Sequence, residues 1–177
     1  MIVATRPAAG EPVAPKAHVA LTVDDDGTIE QSGLSVDGRP VVVAEGVTKQ
    51  LADLSALAPG PHSATFWVRD MAGNRSEQTV PFSIDATAPD LTIEGSRIVV
   101  HDELSRRGTV EIETADEHGR FASRRIVPVR FGGGQAVIGL PQPIAVLGAL
   151  VVHARAWDEV GNRSDVVTGT VWSREQG

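Results

Sequence analysis

The clearest alternation in the chain lies in two stretches. In His62–Asp70 (HSATFWVRD), Ala64, Phe66 and Val68 fall on one face and Thr65, Trp67 and Arg69 on the other, the period of two that marks a half-buried strand. Leu150–Trp157 repeats the rhythm, with Val152, Ala154 and Ala156 inside and His153, Arg155 and Trp157 outside. The β-branched and aromatic runs Thr79–Ile84 and Val166–Trp172 follow at strand length. Further strands are predicted over 18–23, 34–36, 41–44 and 47–51, and downstream over 91–100, 109–114, 124–131 and 136–140. Turn residues punctuate them at Asp24-Asp25-Asp26-Gly27, Asp37-Gly38, Pro59-Gly60-Pro61, Gly132-Gly133-Gly134 and Pro141-Gln142-Pro143. No segment keeps a long 3.6-residue period. Residues 48–57 and 143–150 have room for a helical turn at most, and the Pro- and Ala-rich residues 1–16 predict an extended tail or linker remnant.

A repeat sits inside this pattern. Residues 70–76 read DMAGNRS and residues 158–164 read DEVGNRS, 88 positions apart, close to the size of one immunoglobulin-like sandwich. The strands on either side make each copy the loop of a β-hairpin. Asp70 or Asp158 can accept loop amides as in an Asx-turn, Gly73 or Gly161 supplies a positive φ, and Asn74–Ser76 or Asn162–Ser164 lead into the closing strand. A calcium loop is the rival reading, but one carboxylate per loop falls far short of the roughly six to eight oxygens calcium takes. Asn-Arg-Ser in both copies also spells a glycosylation sequon, a chance match once the turn accounts for the same residues.

The run Val68-Arg69-Asp70-Met71-Ala72-Gly73-Asn74-Arg75-Ser76, the strand Val80–Asp85 and the junction Ala86-Thr87-Ala88-Pro89 resemble the end of one bacterial immunoglobulin-like (Big-type) domain running into the next. Ser32–Val41 and Leu54–His62 resemble that family's central strands and its turn into the penultimate strand. The resemblance covers residues 17–89 and, in the second copy, mainly 150–172; residues 97–138 share only its rhythm. It implies an all-β protein of two tandem immunoglobulin-like antiparallel β-sandwiches, over 17–88 and 89–177. It also implies an extracellular or cell-surface setting among neighbouring domains of a longer chain. The short junction ends in Pro89, which biases Ala88 toward extended geometry.

Composition adds exclusions. Hydrophobic residues at 41% and charged residues at 22% fit a globular chain, and aromatics at 4% make its core aliphatic. No apolar run is long enough for a transmembrane helix, so membrane insertion by a helix is not expected. Net charge is −7, with six cationic against eleven anionic side chains up to Ala88 and ten against twelve after it. Neither half is basic, which argues against a nucleic-acid partner. Zero cysteines rule out disulfides and thiolate chemistry. An intramolecular Lys–Asn isopeptide bond is excluded from the second copy, because the two lysines are Lys16 and Lys49.

Candidate chemistry is sparse. His101-Asp102-Glu103 and Asp116-Glu117-His118 lack a nucleophile with an orienting partner, and His101, His118 and His153 are too scattered to predict a metal site. Asp24, Asp25 and Asp26 form an acidic run that an Asp-rich turn explains better than calcium. The Arg-rich stretch 120–130 reads as a solvated strand. Trp67, Trp157 and Trp172 remain as ligand or interface candidates, since exposed Trp stacks on sugars or anchors protein contacts. The sequence therefore predicts a non-catalytic spacer or interaction module without a cofactor, contacting protein or cell-envelope glycan. A carbohydrate-binding accessory module of a secreted hydrolase is the alternative.

Overall fold

The computed structural model describes residues 2–23, 28–46, 49–140 and 149–172, except for the side chains of residues 3, 4, 49, 50, 121, 122 and 172. The chain divides into two compact units, 1–86 and 87–177. The first contains β1 (Ile2–Arg6), β2 (Glu11–Val13), β3 (His18–Val23), β4 (Ile29–Val36), β5 (Arg39–Glu45), β6 (Lys49–Asp53), β7 (Gly60–Asp70) and β8 (Arg75–Ile84). The second contains β9 (Asp90–Glu94), β10 (Arg97–His101), β11 (Arg107–Asp116), β12 (Phe121–Arg130), β13 (Gln135–Gly139), β14 (Ala149–Asp158) and β15 (Val167–Trp172). No helix occurs among the described residues.

Each unit is a sandwich of two sheets. In the first, β1-β3-β6 faces β2-β8-β7-β4-β5; in the second, β9-β10-β13 faces β15-β14-β11-β12. Setting β2 aside, the strand order is the same in both, including β10–β13, where sequence similarity between the copies fades. All pairings are antiparallel except β2 along β8. The predicted inner faces are inside: Ala64, Phe66 and Val68 are buried, as are Val152, Ala154 and Ala156. They meet Val19, Leu21 and Ala52 from the facing sheet of the first unit, and Ile98, Val100 and Ile138 in the second. Each fully buried aliphatic chain removes about 1.5–3 kcal/mol of apolar exposure, so these faces hold the sheets together.

Several expectations change. Residues 1–16 are not a tail: Ile2–Arg6 pairs with β3, and Glu11–Val13 lies parallel to β8. The run 91–100 is a hairpin, because Gly95 adopts φ 56° and turns the chain between β9 and β10. The allowance for a helical turn in 48–57 gives way to β6 and a tight turn closed by Leu57 N–H to the Leu54 carbonyl. The predicted turns at Asp24–Gly27 and Pro141–Pro143 lie outside the described residues, as does most of 143–150. At Asp37-Gly38 both residues have positive φ, 50° and 75°, the backbone of a type I′ hairpin turn.

The exposed edges carry proline. Pro40 lies on β5 and Pro128 on β12, each the outer strand of its larger sheet, and proline withholds the amide an incoming strand would pair with. On the outer surface of the first unit, Gly33 of β4 stands opposite Trp67 of β7. A Cβ at Gly33 would fall 2.4 Å from the indole Cε2, so the missing side chain is what lets the ring lie on the sheet. Gly33→Ala is expected to cost about 1–3 kcal/mol in urea denaturation, as overpacking does. In a Trp67→Ala background the penalty should shrink by more than about 0.5 kcal/mol, the sign of direct coupling.

Candidate functional site

The repeated loop has the same construction in both units. Asp70 N–H donates to the Asn74 carbonyl, and Asp158 N–H to that of Asn162. The carboxylate then gathers the loop's donors. Asp70 accepts Asn74 N–H at 2.8 Å and the Asn74 side-chain amide at 2.7 Å, and these bonds hold the Asp70 carboxyl below the usual carboxylate range, the side-chain bond most strongly. Asp158 Oδ1 accepts Val160, Gly161 and Asn162 N–H, the Gly161 bond being 2.6 Å long, while Oδ2 accepts the Asn162 amide at 2.7 Å. Gly73 at φ 86° and Gly161 at φ 97° make the bend without strain. The second copy adds more: Asn162 reaches the Thr87 carbonyl at 3.2 Å, and the buried Ser164 hydroxyl accepts Ala156 N–H at 2.9 Å. Ser76 instead pairs with Val68 within the β7–β8 ladder.

The tryptophans diverge. Trp67 is half-buried against Gly33, with the Arg75 guanidinium 5.0 Å from its ring centroid, so the protein's own groups take up its contacts. Trp157 is half-buried on β14 opposite Thr109. Trp172 ends β15, its side chain outside the described set, and Asp24, Asp25 and Asp26 lie outside the described residues altogether.

The polar clusters are spent locally. Asp116 accepts the amides of His118 and Arg120 and pairs with the Arg120 guanidinium at 2.6 Å. His118 is exposed, 3.7 Å from Glu117. His101 ends β10, and His153 bonds Thr168 at 2.9 Å; no metal-sized grouping among the described residues contains a histidine. Arg124 pairs with Glu111 and, at 3.5 Å, with Glu113, lining with His153 and Arg155 a shallow depression of about 190 Å³ on the outer face of β11–β14. Lys16 is exposed, unlike the buried lysine an isopeptide bond requires. Two features had no sequence signal. Asp37 and His62, 25 residues apart, bond at 2.6 Å. Asp102 and Asp158 are both buried, with carboxylate oxygens within 4.8 Å of each other.

No family model matches the chain, and no curated protein matches it. Among solved structures, the fibronectin(III)-like modules of Clostridium thermocellum CbhA are similar over 98% of this chain and 94% of theirs, at 15% identity and a TM-score of 0.54. The FN1–FN3 domains of chicken CNTN1 match 96% of this chain and 66% of their own, at 12% identity and a TM-score of 0.47. A tetra-tandem repeat from the extending region of a large adhesion protein is 24% identical over 92% of this chain, which spans about half of its length (49%), with a TM-score of 0.41. At these identities the likeness is one of fold: fibronectin-III- and immunoglobulin-like β-sandwiches.

The Asp37–His62 pair joins the β4–β5 turn to the chain entering β7. His62 Nδ1 faces the Asp37 carboxylate and Nε2 faces the Ala58 carbonyl at 2.8 Å, while Asp37 Oδ1 accepts Ser63 N–H. With an acceptor at each ring nitrogen, the imidazolium is the form that satisfies both, and no ring nitrogen is left to activate a nucleophile. The Asp37 bond raises the His62 pKa above 6.5, and the His62 bond lowers that of Asp37 below 3.8. The raised histidine stabilises the fold fully below about pH 6.5 and loses that contribution as pH rises through its folded value. The lowered carboxylate contributes above about pH 3.8 and fades as pH falls through its own folded value. The stability advantage of the native protein over His62→Gln, measured by urea denaturation from pH 4 to 9, is expected to be largest near pH 5–6 and to shrink toward pH 9.

Proposed function

We propose that this chain is a non-catalytic structural module, a spacer or protein-contact element, of a bacterial extracellular or cell-surface protein. The observation that carries the proposal is the duplication: one strand order is built twice, each time closed by the same Asp-clamped loop. Repetition of a self-contained sandwich adds length and surface rather than a reaction centre. The chemistry of the loops supports the same reading. The His–Asp pair is bonded at both ring nitrogens, and Asp70, Asp116 and Asp158 bind the amides of their own turns, so none of these groups is placed as an acid, base or nucleophile acting on a substrate. The surface and extracellular setting rests on the Big-type resemblance of the D-x-x-G-N-R-S loops and the Pro-ended junction.

The carbohydrate-binding alternative needs tryptophan rings free to stack on sugars, and Trp67 lies on Gly33 beneath Arg75. Co-sedimentation with insoluble glycans and bacterial cell walls separates the two. The native chain and a Trp67→Ala, Trp157→Ala double variant are both expected to stay in the supernatant. Pelleting of the native chain that the folded double variant loses would replace the spacer reading with a carbohydrate-binding module.

A further inference from the structure

β13 is the outer strand of the smaller sheet of the second unit, in the order β13-β10-β9. It reads Gln135-Ala136-Val137-Ile138-Gly139, with Ala136 and Ile138 buried and Val137 55% exposed. Open sheet edges are normally blunted by charge or proline. β9, the opposite edge of the same sheet, begins with Asp90 and ends with Glu94, and β12, the neighbouring edge of the larger sheet, carries Pro128. β13 has neither device. A groove of about 560 Å³ lies between β12 and β13, so another backbone can reach the β13 edge.

The ladder fixes which backbone groups face outward there. Leu140 N–H donates to the Ser96 carbonyl, and Asp102 N–H to the Gly134 carbonyl. Hydrogen-bonded pairs alternate along an antiparallel ladder, so Ala136 and Ile138 turn their amides and carbonyls to β10, while Gln135, Val137 and Gly139 turn theirs to the open edge. Gln135 exchanges both of its groups with Gly132, at 2.9 and 3.3 Å. Val137 and Gly139 remain, and no strand among the described residues pairs with them on that side. Both residues lie on the outer face of the sheet. Val137 presents an exposed side chain there, whereas Gly139 leaves open space: a Cβ at Gly139 would meet nothing within 4 Å.

We propose that two copies of this chain associate through β13, paired antiparallel about a two-fold axis at Ile138. Val137 of each copy then stands opposite the partner's Gly139. Each of these two pairs exchanges its amides and carbonyls in both directions, and each Val137 side chain fills the space over the partner's Gly139. The match is reciprocal, as a two-fold contact requires. A second copy is the occupant because β13 itself supplies both halves of the match, a branched side chain and a glycine two positions apart, and carries no charge to repel its like. So short a pairing is small beside the roughly 1,200–2,000 Å² of stable interfaces, and the dimer is accordingly weak, with Kd above about 1 µM. The contact goes beyond spacing: it joins modules edge to edge, whatever the setting of the chain.

Sedimentation equilibrium of the full chain from about 10 µM to about 1 mM, the range of weak complexes, is expected to show monomer and dimer in exchange. Val137→Lys sets like charges across the contact and should weaken it more than about tenfold, while its exposed position leaves the fold intact in urea denaturation. Gly139→Val occupies the space that the partner's Val137 needs and should weaken dimerisation likewise. The double variant Val137→Gly, Gly139→Val exchanges the two halves of the match and should dimerise again, an outcome specific to this register. A chain that stays monomeric throughout would overturn the proposal and leave the edge to a strand from another protein. Dimerisation unchanged by Val137→Lys and Gly139→Val would also overturn it, placing the contact on another surface. Loss in both single variants without recovery in the double variant would overturn the pairing about Ile138. If Val137→Lys fails to fold, Gly139→Val and its rescue by the double variant decide alone.

Discussion

Everything in these two sandwiches depends on one aliphatic face per strand staying between the sheets. With aromatics so scarce, the job falls to small side chains. The first core centres on Phe66 and Phe82, but the second buries no aromatic among its described residues and relies on Leu91, Ile98, Val100, Val110, Ile112, Val152 and the small Ala154 and Ala156. Small residues bury little area each, so the sum holds only if nearly every inward position is occupied. A one-residue slip would turn β14's Val152, Ala154 and Ala156 to solvent and bring His153, Arg155 and Trp157 inside. Long unbroken pairings, such as the nine residue pairs of β11 with β14, make that slip costly.

What surrounds the core follows from it. Once the inner faces fix which residues point outward, the outer faces fill with cross-strand pairs: Thr65 with Thr79, Arg69 with Glu30, and Arg124 with Glu111 and Glu113. At Gly33 and Trp67 an outer face is shaped by absence. At the equivalent step of the second unit Glu111 stands opposite Arg155, two charged side chains where the first unit has a ring on a glycine. The scaffold is shared, and surface chemistry varies on top of it.

Much of this was legible from sequence because it is local. Strict alternation marked β7 and β14, Asp-Gly marked the β4–β5 turn, and the D-x-x-G-N motif carries within seven residues both the acceptor and the donors that close its loop. Failures occurred where structure is made by distant partners. Ile2–Arg6 looks like a tail because only pairing with Ala20–Val23 makes it a strand. The β9–β10 hairpin hid inside a run read as one strand because each of its strands has only five residues and the turn between them rests on Gly95 alone. No periodicity brings Asp37 to His62 or Asp102 to Asp158; each pair meets because the strand order folds separate turns onto the same end of a unit. The resemblance to a Big-type repeat pointed to the sandwich class that the structure shows, while its family name has no matching model behind it.

Pro40 and Pro128 bear on how such a chain is made. Two similar sandwiches on one polypeptide emerge in sequence and remain tethered, so each meets the other's unfolded strands at an effective concentration in the millimolar range. Like modules at that concentration are prone to exchange strands and trap one another half-folded. A proline on the outer strand of each larger sheet takes away one amide from the edge where a stray strand would start to pair, and the fading similarity of 97–138 to the first copy removes its best-matched substitute. The duplication can thus be translated end to end with each copy closing on itself, which is a condition for lengthening a protein by repetition at all.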